Sequence, residues 1–269
     1  MKPTERARAI RKSILETFDG GKRGHVPSAF SLVEILVVLY DQILRFDASN
    51  PAWPERDRCI LSKGHGCIAL YAILADHGFF PKEELPTFCH YGSILGGHPK
   101  CGKVPGVEAS TGSLGHGLSI ALGQALILQQ NESKSRVFTI LGDGECNEGS
   151  IWEAAMAASK HKLDQLTAVI DYNHVQSYGT HEDVQPLEPF AAKWEAFGFA
   201  ATEVDGHNEA QLKATFESLP LMPGKPTAII CHTTKGKGIP SLENNFAWHH
   251  KARVSDEEID QLMKELADA

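Results

Sequence analysis

Long apolar runs, clustered basic charge, paired cysteine motifs and low-complexity tracts are all missing from this 269-residue sequence. Its most apolar stretch, residues 35–39 within SLVEILVVLY, falls far short of the roughly 20 residues that span a bilayer, so no transmembrane helix and no membrane partner are expected. The 26 Lys and Arg are scattered and outnumbered by 34 Asp and Glu, giving a formal net charge of −8. That balance removes the attraction to phosphate backbones on which nucleic-acid binding depends. Cysteines stand at 59, 67, 89, 101, 146 and 231 with no CxxC pair and no zinc-like spacing. Reduced thiols in a cytoplasmic compartment are therefore expected. The opening MKPTERARAIRKSILETFDG is too charged for a secretory signal and reads as a helix. Without repeats or linker-like segments, the simplest organisation is one domain over residues 1–269. That length suffices to bury about 70–75% of the surface an unfolded chain exposes.

What the sequence does contain is an alternation of short β-rich runs with helical segments. Thr4 is placed to cap a first helix carrying Ala7, Ile10, Ile14 and Phe18 inward and ending at Gly20-Gly21. Ser31 followed by Glu34 has the spacing of a capping box, opening a second helix with Leu32, Ile35, Leu36 and Leu39 on its core face. Strands are expected at 59–61, 137–141, 166–170 and 227–231, with helices at 114–129 and 151–161 between them. A last helix carries Ile259, Leu262, Met263 and Leu266 on one face. Continuous apolar strands alternating with helices predict an α/β fold with a doubly wound, mainly parallel sheet covered on both faces. Such sheets bind ligands beyond the carboxyl ends of their strands.

Two of those ends hold unusual residues. The strand at 137–141 runs into Gly142-Asp143-Gly144, and that at 166–170 into Asp171-Tyr172-Asn173. One helix separates them, so a right-handed crossover would bring Asp143 and Asn173 to adjacent strand ends. A carboxylate and an amide oxygen suit Mg²⁺, which takes its remaining oxygens from phosphates, a carbonyl and water. The flanking glycines let a phosphate approach the backbone.

The run GDGECNEGSIWEAAMAASKHKLDQLTAVIDYN resembles the thiamin diphosphate motif, and its wording, GDG-x3-EG-x3-EA, resembles that of transketolases. RGHVPSAFSLVEILVVLY, RDRCILSKGHGCIALYAIL, GGHP, VEASTGSLGHGLSIALGQAL, PTAIICHTTKGKG and AWHH resemble further transketolase segments in the same order. The similarity extends over nearly the whole chain and is confined to the diphosphate-binding (PP) domain of that family. It implies that Asp143, Asn173 and the carbonyl of Val175 hold Mg²⁺, with Ca²⁺ or Mn²⁺ as substitutes. It implies that His65 and His249 contact the diphosphate, with the Gly144 amide in the Gly142–Gly144 turn. Ser113, Leu114 and Gly115 match the loop against the aminopyrimidine ring. His25 and His98 match channel histidines that act on the substrate together with His249, and Glu148 and Glu153 match an acidic network linking two active sites across a dimer.

The resemblance also implies a partner. In this family a second, pyrimidine-binding domain carries the Glu that activates the cofactor and most arginines that bind sugar phosphates. The expectation is the N-terminal half of a split transketolase, joined to a separately encoded C-terminal subunit in a heterotetramer and acting on sugars or sugar phosphates. Alternatives are one component of another thiamin diphosphate enzyme, resembling a 2-oxo acid dehydrogenase α chain or a deoxyxylulose phosphate synthase, or a scaffold without chemistry. Four positions depart from the family's usual pattern: Val26-Pro27-Ser28-Ala29 after His25, Ser177, His116 and His250. His77, His161, His181, His207 and His232 sit in no motif and read as background. Cys146 reads as a small filler, and Lys235 and Lys237 as either a solvated turn or a lid.

Overall fold

The computed structural model describes residues 4–269; residues 1–3 of the expected domain lie outside the described residues. Five strands, β1 (Arg58–Leu61), β2 (Val137–Gly142), β3 (Leu166–Tyr172), β4 (Ala200–Asp205) and β5 (Thr227–His232), form one sheet in the order β1-β2-β3-β5-β4. Every pairing is parallel. The period-two geometry of a strand sorts side chains to two faces, and both are covered. Phe138 and Ile140 of β2, Val169 of β3 and Ile229 of β5 join one core. Val137, Leu141, Leu166, Ala168, Ile170, Ala228 and Ile230 join the other. The expected doubly wound parallel sheet is thus present.

The first core is closed by α1 (Glu5–Gly21), α2 (Val26–Phe30), α3 (Val33–Val38), α4 (Cys67–Asp76), α9 (Glu209–Glu217) and α10 (Asp256–Asp268). The second is closed by α5 (Gly117–Gln130), α6 (Gly149–Lys160) and α8 (Phe190–Ala196), while the short α7 (His181–Val184) follows β3. Thr4 accepts a hydrogen bond from the Ala7 amide, as a helix cap should. Helix α10 buries Ile259, Leu262 and Leu266, with Met263 partly covered, as its spacing predicts. No helix among the described residues is long and apolar enough to cross a membrane. All six cysteines are free.

Two expectations need correction. The capping box at Ser31 and Glu34 does not form: the chain makes α2, breaks, and restarts as α3, passing into a π-turn over Leu39–Ile43. Both side chains have left the helix end for tertiary partners. Ser31 Oγ donates to Asp171 Oδ2 at 2.6 Å, and Glu34 receives Arg11 Nη1 and Nη2 at 2.7 and 2.9 Å. A buried guanidinium offers a carboxylate a stronger bond than a helix amide does, so the ion pair wins. Strand β4 is not among the expected strands because Thr202, Glu203 and Asp205 keep AATEVD from reading as a buried apolar run, and only Val204 of it is buried. It is an edge strand, where only one neighbour and part of one face require apolar residues.

Candidate functional site

The carboxyl ends of β1, β2, β3 and β5, four neighbours in the sheet, converge on a cavity of about 340 Å³. Strand β1 delivers Lys63 and His65, β2 delivers Gly142, Asp143, Gly144 and Glu145, β3 delivers Asn173, Val175 and Ser177, and the segment after β5 delivers Lys235. His25, His98, Leu114 and His249 line it as well. Most of the expected site residues are therefore gathered in one place.

The register β2 to β3 sets Gly142 opposite Asp171, so Asp143, one residue on, and Asn173, two residues on, lie across adjacent ends. Asp143 Oδ2 accepts the backbone amides of Asn173 and His174, both at 2.7 Å, and Oδ1 accepts the Gly144 amide at 2.7 Å. These bonds lock the carboxylate between the two loops. The Asn173 side-chain oxygen accepts the Val175 amide at 3.2 Å, and the Val175 carbonyl accepts Lys235 Nζ at 3.0 Å. The three oxygens expected to hold a metal thus belong to one hydrogen-bonded network across the two loops. They are hard donors of the kind Mg²⁺ prefers.

Beneath them lies a network that the motifs do not reveal. Asp171, wholly buried, receives Lys63 Nζ, Ser31 Oγ, Thr233 Oγ1 and Asn173 Nδ2. Burial alone would raise its pKa, but the Lys63 charge and these bonds outweigh that and hold it down. Lys235, only 4% exposed, donates to Val175 O and to His249 Nδ1 at 2.9 Å, which excludes the solvated-turn reading for it. Burial, and then repulsion from Lys63, lower its pKa to about 8. Lys237 instead faces Glu243 at 3.6 Å. Glu145 is also buried. It accepts Ser62 Oγ and the amides of Gly115 and Gly142, tying the loop before α5 to the loop after β2.

The histidines form a cluster. His25 Nδ1 lies 2.8 Å from the His249 carbonyl; since the carbonyl can only accept, Nδ1 carries the proton and Nε2 keeps its lone pair. On His249, Nδ1 accepts from Lys235, so Nε2–H donates to Ser177 Oγ at 3.0 Å. The His25 ring lies 5.2 Å from His65, 5.7 Å from His249 and 4.6 Å from His250. Burial, with added repulsion from neighbouring cations, pushes His25 down to about 4 and His249 to about 3, and His65 well below its usual value. Burial lowers His98 as well. At neutral pH these imidazoles are uncharged, able to accept as well as donate hydrogen bonds.

Other expected residues stand outside the cavity. Gly115 is buried with its amide on Glu145 and its carbonyl on Ser150 Oγ, so only Leu114 of that loop reaches the cavity. Its φ of +86° and a Cβ position 2.7 Å from Glu148 Cβ and 2.6 Å from Ser150 Oγ explain the glycine. Ser113, His116, Glu148 and Glu153 are exposed and contribute nothing to the cavity wall. Cys146 is a buried filler, its thiol pushed up by burial and its Sγ directed at Gly142 O. Of the background histidines, His77 pairs with Asp41, His232 with Glu203, and His207 bridges Glu34 and the Thr234 amide. His181 differs: it is buried, with Nε2 3.2 Å from Asp143 Oδ2. No motif signals it, because the contact depends on the fold of the loop after β3.

Two buried polar groups at the cavity lack hydrogen-bond partners, Ser28 Oγ and Gln176 Nε2. Both can donate. Together with the ammonium of Lys235 they fit a bound oxyanion such as a diphosphate, and the oxygen set of Asp143, Asn173 and Val175 fits the cation that would accompany it.

The comparisons with known proteins agree with this geometry. Residues 3–267 match the family model of the transketolase thiamine diphosphate binding domain. The 6-deoxy-6-sulfo-D-fructose transketolase subunit of Clostridium sp. is 44% identical over 244 residues, 91% of this chain and 89% of that protein. An apulose-4-phosphate transketolase subunit from Actinobacillus succinogenes is 42% identical over 265 residues, 98% of this chain and 95% of that one. The crystal structure of transketolase from Campylobacter jejuni superimposes with a TM-score of 0.90 at 28% identity, over 98% of this chain but 42% of that one. With a family match over nearly its full length, a doubly wound sheet superimposable on transketolases and the cavity at the strand ends, the chain belongs to the transketolase family, in its thiamine diphosphate-binding part.

Proposed function

We propose that this chain is the thiamin diphosphate-binding subunit of a two-component transketolase, a single PP domain over residues 1–269 that works in the cytoplasm. With Mg²⁺, or Ca²⁺ or Mn²⁺ in its place, the assembly transfers a two-carbon ketol unit from a ketose to an aldose. The relatives named as transketolase subunits match this chain in length, whereas it spans about two fifths of the single-chain enzymes. A pyrimidine-binding half would come from a separate C-terminal subunit, two of each chain making a heterotetramer.

The observation that carries the reading is the convergence of Asp143, Asn173 and Val175 with Lys63, Lys235 and Ser28 at four adjacent strand ends. Thiamin diphosphate, when bound, supplies the carbanion chemistry that breaks and makes the carbon–carbon bond. The chain's own residues bind and orient. Asp143, Asn173 and the Val175 carbonyl hold the metal; Ser28, Lys235, His65 and His249 face the diphosphate, whereas the Gly144 amide, expected to join them, is engaged by Asp143 Oδ1. Leu114 packs against the aminopyrimidine end, with Gly115 and Ser113 shaping its loop. His25, its Nε2 unprotonated and directed by the His249 carbonyl, and His98 hydrogen-bond the sugar hydroxyls and carbonyl oxygen. Ser177 keeps His249 oriented.

The test is to co-purify the chain with its partner, titrate thiamin diphosphate with and without Mg²⁺, and assay ketose donors. Ketol transfer with metal-dependent cofactor binding is expected, and Asp143→Asn should weaken that binding about a hundredfold. Decarboxylation of a 2-oxo acid without ketol transfer would replace this reading with another thiamin diphosphate activity. Absence of cofactor binding would leave a scaffold.

A further inference from the structure

The backbone that carries Lys235 is gripped from behind by three side chains that stand outside the cavity. His207, in the connection between β4 and α9, is not among the residues lining the cavity. Its Nδ1 lies 2.9 Å from Glu34 Oε2, and a carboxylate held ionised can only accept, so Nδ1 carries the proton. Its Nε2 keeps a lone pair and accepts the Thr234 amide at 2.8 Å. Arg11 pairs with the same carboxylate through Nη1 and Nη2 and turns its Nε to the Lys237 carbonyl at 2.7 Å. One largely buried Arg11–Glu34–His207 unit thus holds two backbone groups, the amide at 234 and the carbonyl at 237, on either side of Lys235.

The local sequence permits this approach. Asp205 Oδ1 accepts the His207 amide at 2.9 Å, and the Gly206 amide donates to the His232 carbonyl at 2.8 Å, which lays the connection against the end of β5. A Cβ at Gly206 would stand 2.5 Å from Thr233 Cγ2 and 3.1 Å from Cys231 Cβ, so a side chain there would push the two segments apart. On the cavity side, Lys235 Nζ reaches Val175 O and His249 Nδ1, in surroundings that disfavour its charge. A compact ammonium on a flexible four-carbon stem keeps such a place only if the backbone beneath it is fixed.

We propose that His207 is a positioning residue for Lys235: together with Arg11 and Glu34 it holds the 234–237 backbone so that the Lys235 ammonium stands beside the Val175 carbonyl, placed for the diphosphate. The proposal rests on the reading of Lys235 as a diphosphate ligand and extends it to a residue that touches neither cofactor nor substrate. Because His207 presents two different atoms to two partners, the clamp has a geometric signature. Asparagine sets a donor near the Nδ1 position and still reaches Glu34, whereas glutamine sets an acceptor near the Nε2 position and still receives the Thr234 amide. A clamp that works through Thr234 survives glutamine and fails with asparagine.

The test uses the complex with its partner and compares the natural protein with His207→Leu, His207→Asn and His207→Gln. Deuterium exchange over residues 233–237, measured without cofactor, is expected to be about tenfold faster in His207→Leu and His207→Asn and close to the natural rate in His207→Gln. Thiamin diphosphate titrated at fixed Mg²⁺ should bind about ten- to a hundredfold more weakly to the first two and less than about threefold more weakly to His207→Gln. In a Lys235→Met background, His207→Leu should cause no further loss of affinity, because the two changes remove one interaction. Results in this order support the proposal. Equal losses in the Asn and Gln variants, or a loss that adds to that of Lys235→Met, give His207 a general structural role and overturn it, as does natural exchange and affinity in all three. Should His207→Leu fail to fold, the Asn and Gln variants carry the comparison. If the natural complex binds no thiamin diphosphate, the proposed activity fails by itself, and the exchange rates still decide whether His207 holds the backbone that carries Lys235.

Discussion

Lys63 and Asp171 form a buried ion pair at the floor of the candidate site, the carboxylate wholly inaccessible and the ammonium nearly so. Taking one partner away leaves an uncompensated charge in a medium that solvates it poorly. Lys63→Met should therefore destabilise the fold by about 3–5 kcal/mol, measured by urea denaturation. The double variant Lys63→Met, Asp171→Leu should recover part of that loss, because the stranded carboxylate is gone. Asp143 and Asn173 are legible in the sequence because each follows a strand and their spacing encloses one helix. Lys63, Lys235 and Glu145 carry no such mark as site residues. Lys63 meets Asp171 across 108 residues and Lys235 meets Val175 across 60, pairings that no local pattern announces.

At the level of elements, Arg11 of α1 and Glu34 of α3 clamp two helices, and His207 brings the β4–α9 connection onto the same carboxylate at 2.9 Å. Burial would raise the Glu34 pKa, but the His207 and Arg11 bonds and charges outweigh it and hold it at about 2, against 4.5 for a free glutamate. A depressed folded-state value means that stability is fully present above about pH 4.5 and is lost as pH falls toward 2. The difference amounts to about 3 kcal/mol. Urea titrations from pH 6 to pH 2 should show that loss in the natural protein, and Glu34→Gln should be less stable at pH 6 and show a flatter acid dependence. The same residues explain why the helix start differs from its expected form. Spacing alone assigns Ser31 and Glu34 to a cap, and only the approach of α1 and β3 redirects them. Strand β4 is hard to read for the converse reason: an edge strand carries little apolar signal.

Over the whole molecule, the exposed apolar side chains are informative. Leu114, Ile120, Ile127 and Met156 are exposed on or beside α5 and α6, near Glu148 and Glu153. In the proposed heterotetramer this face is where acidic and apolar residues would be covered. Ile127→Lys with Met156→Glu should therefore shift the co-purified assembly toward smaller species in sedimentation velocity, with the isolated chain still folded by circular dichroism. An assembly of unchanged size would exclude this face from the interface.

The amino-acid sequence by itself determined the alternation of strands and helices, the parallel doubly wound class and the placement of Asp143 and Asn173 at strand ends. Hydrophobic periodicity and local spacing encode those features directly. Tertiary structure decided which charges are buried, which histidines share a cavity and which cation is left without a carboxylate. Those outcomes depend on contacts between segments far apart in the chain. The absence of clustered basic charge, sufficient to argue against nucleic acid, therefore coexists with a basic recess: Arg23, Lys103 and His250 are dispersed in sequence and line one opening because the segment bridged at Gly24–Lys251 and the loop after His98 both border it.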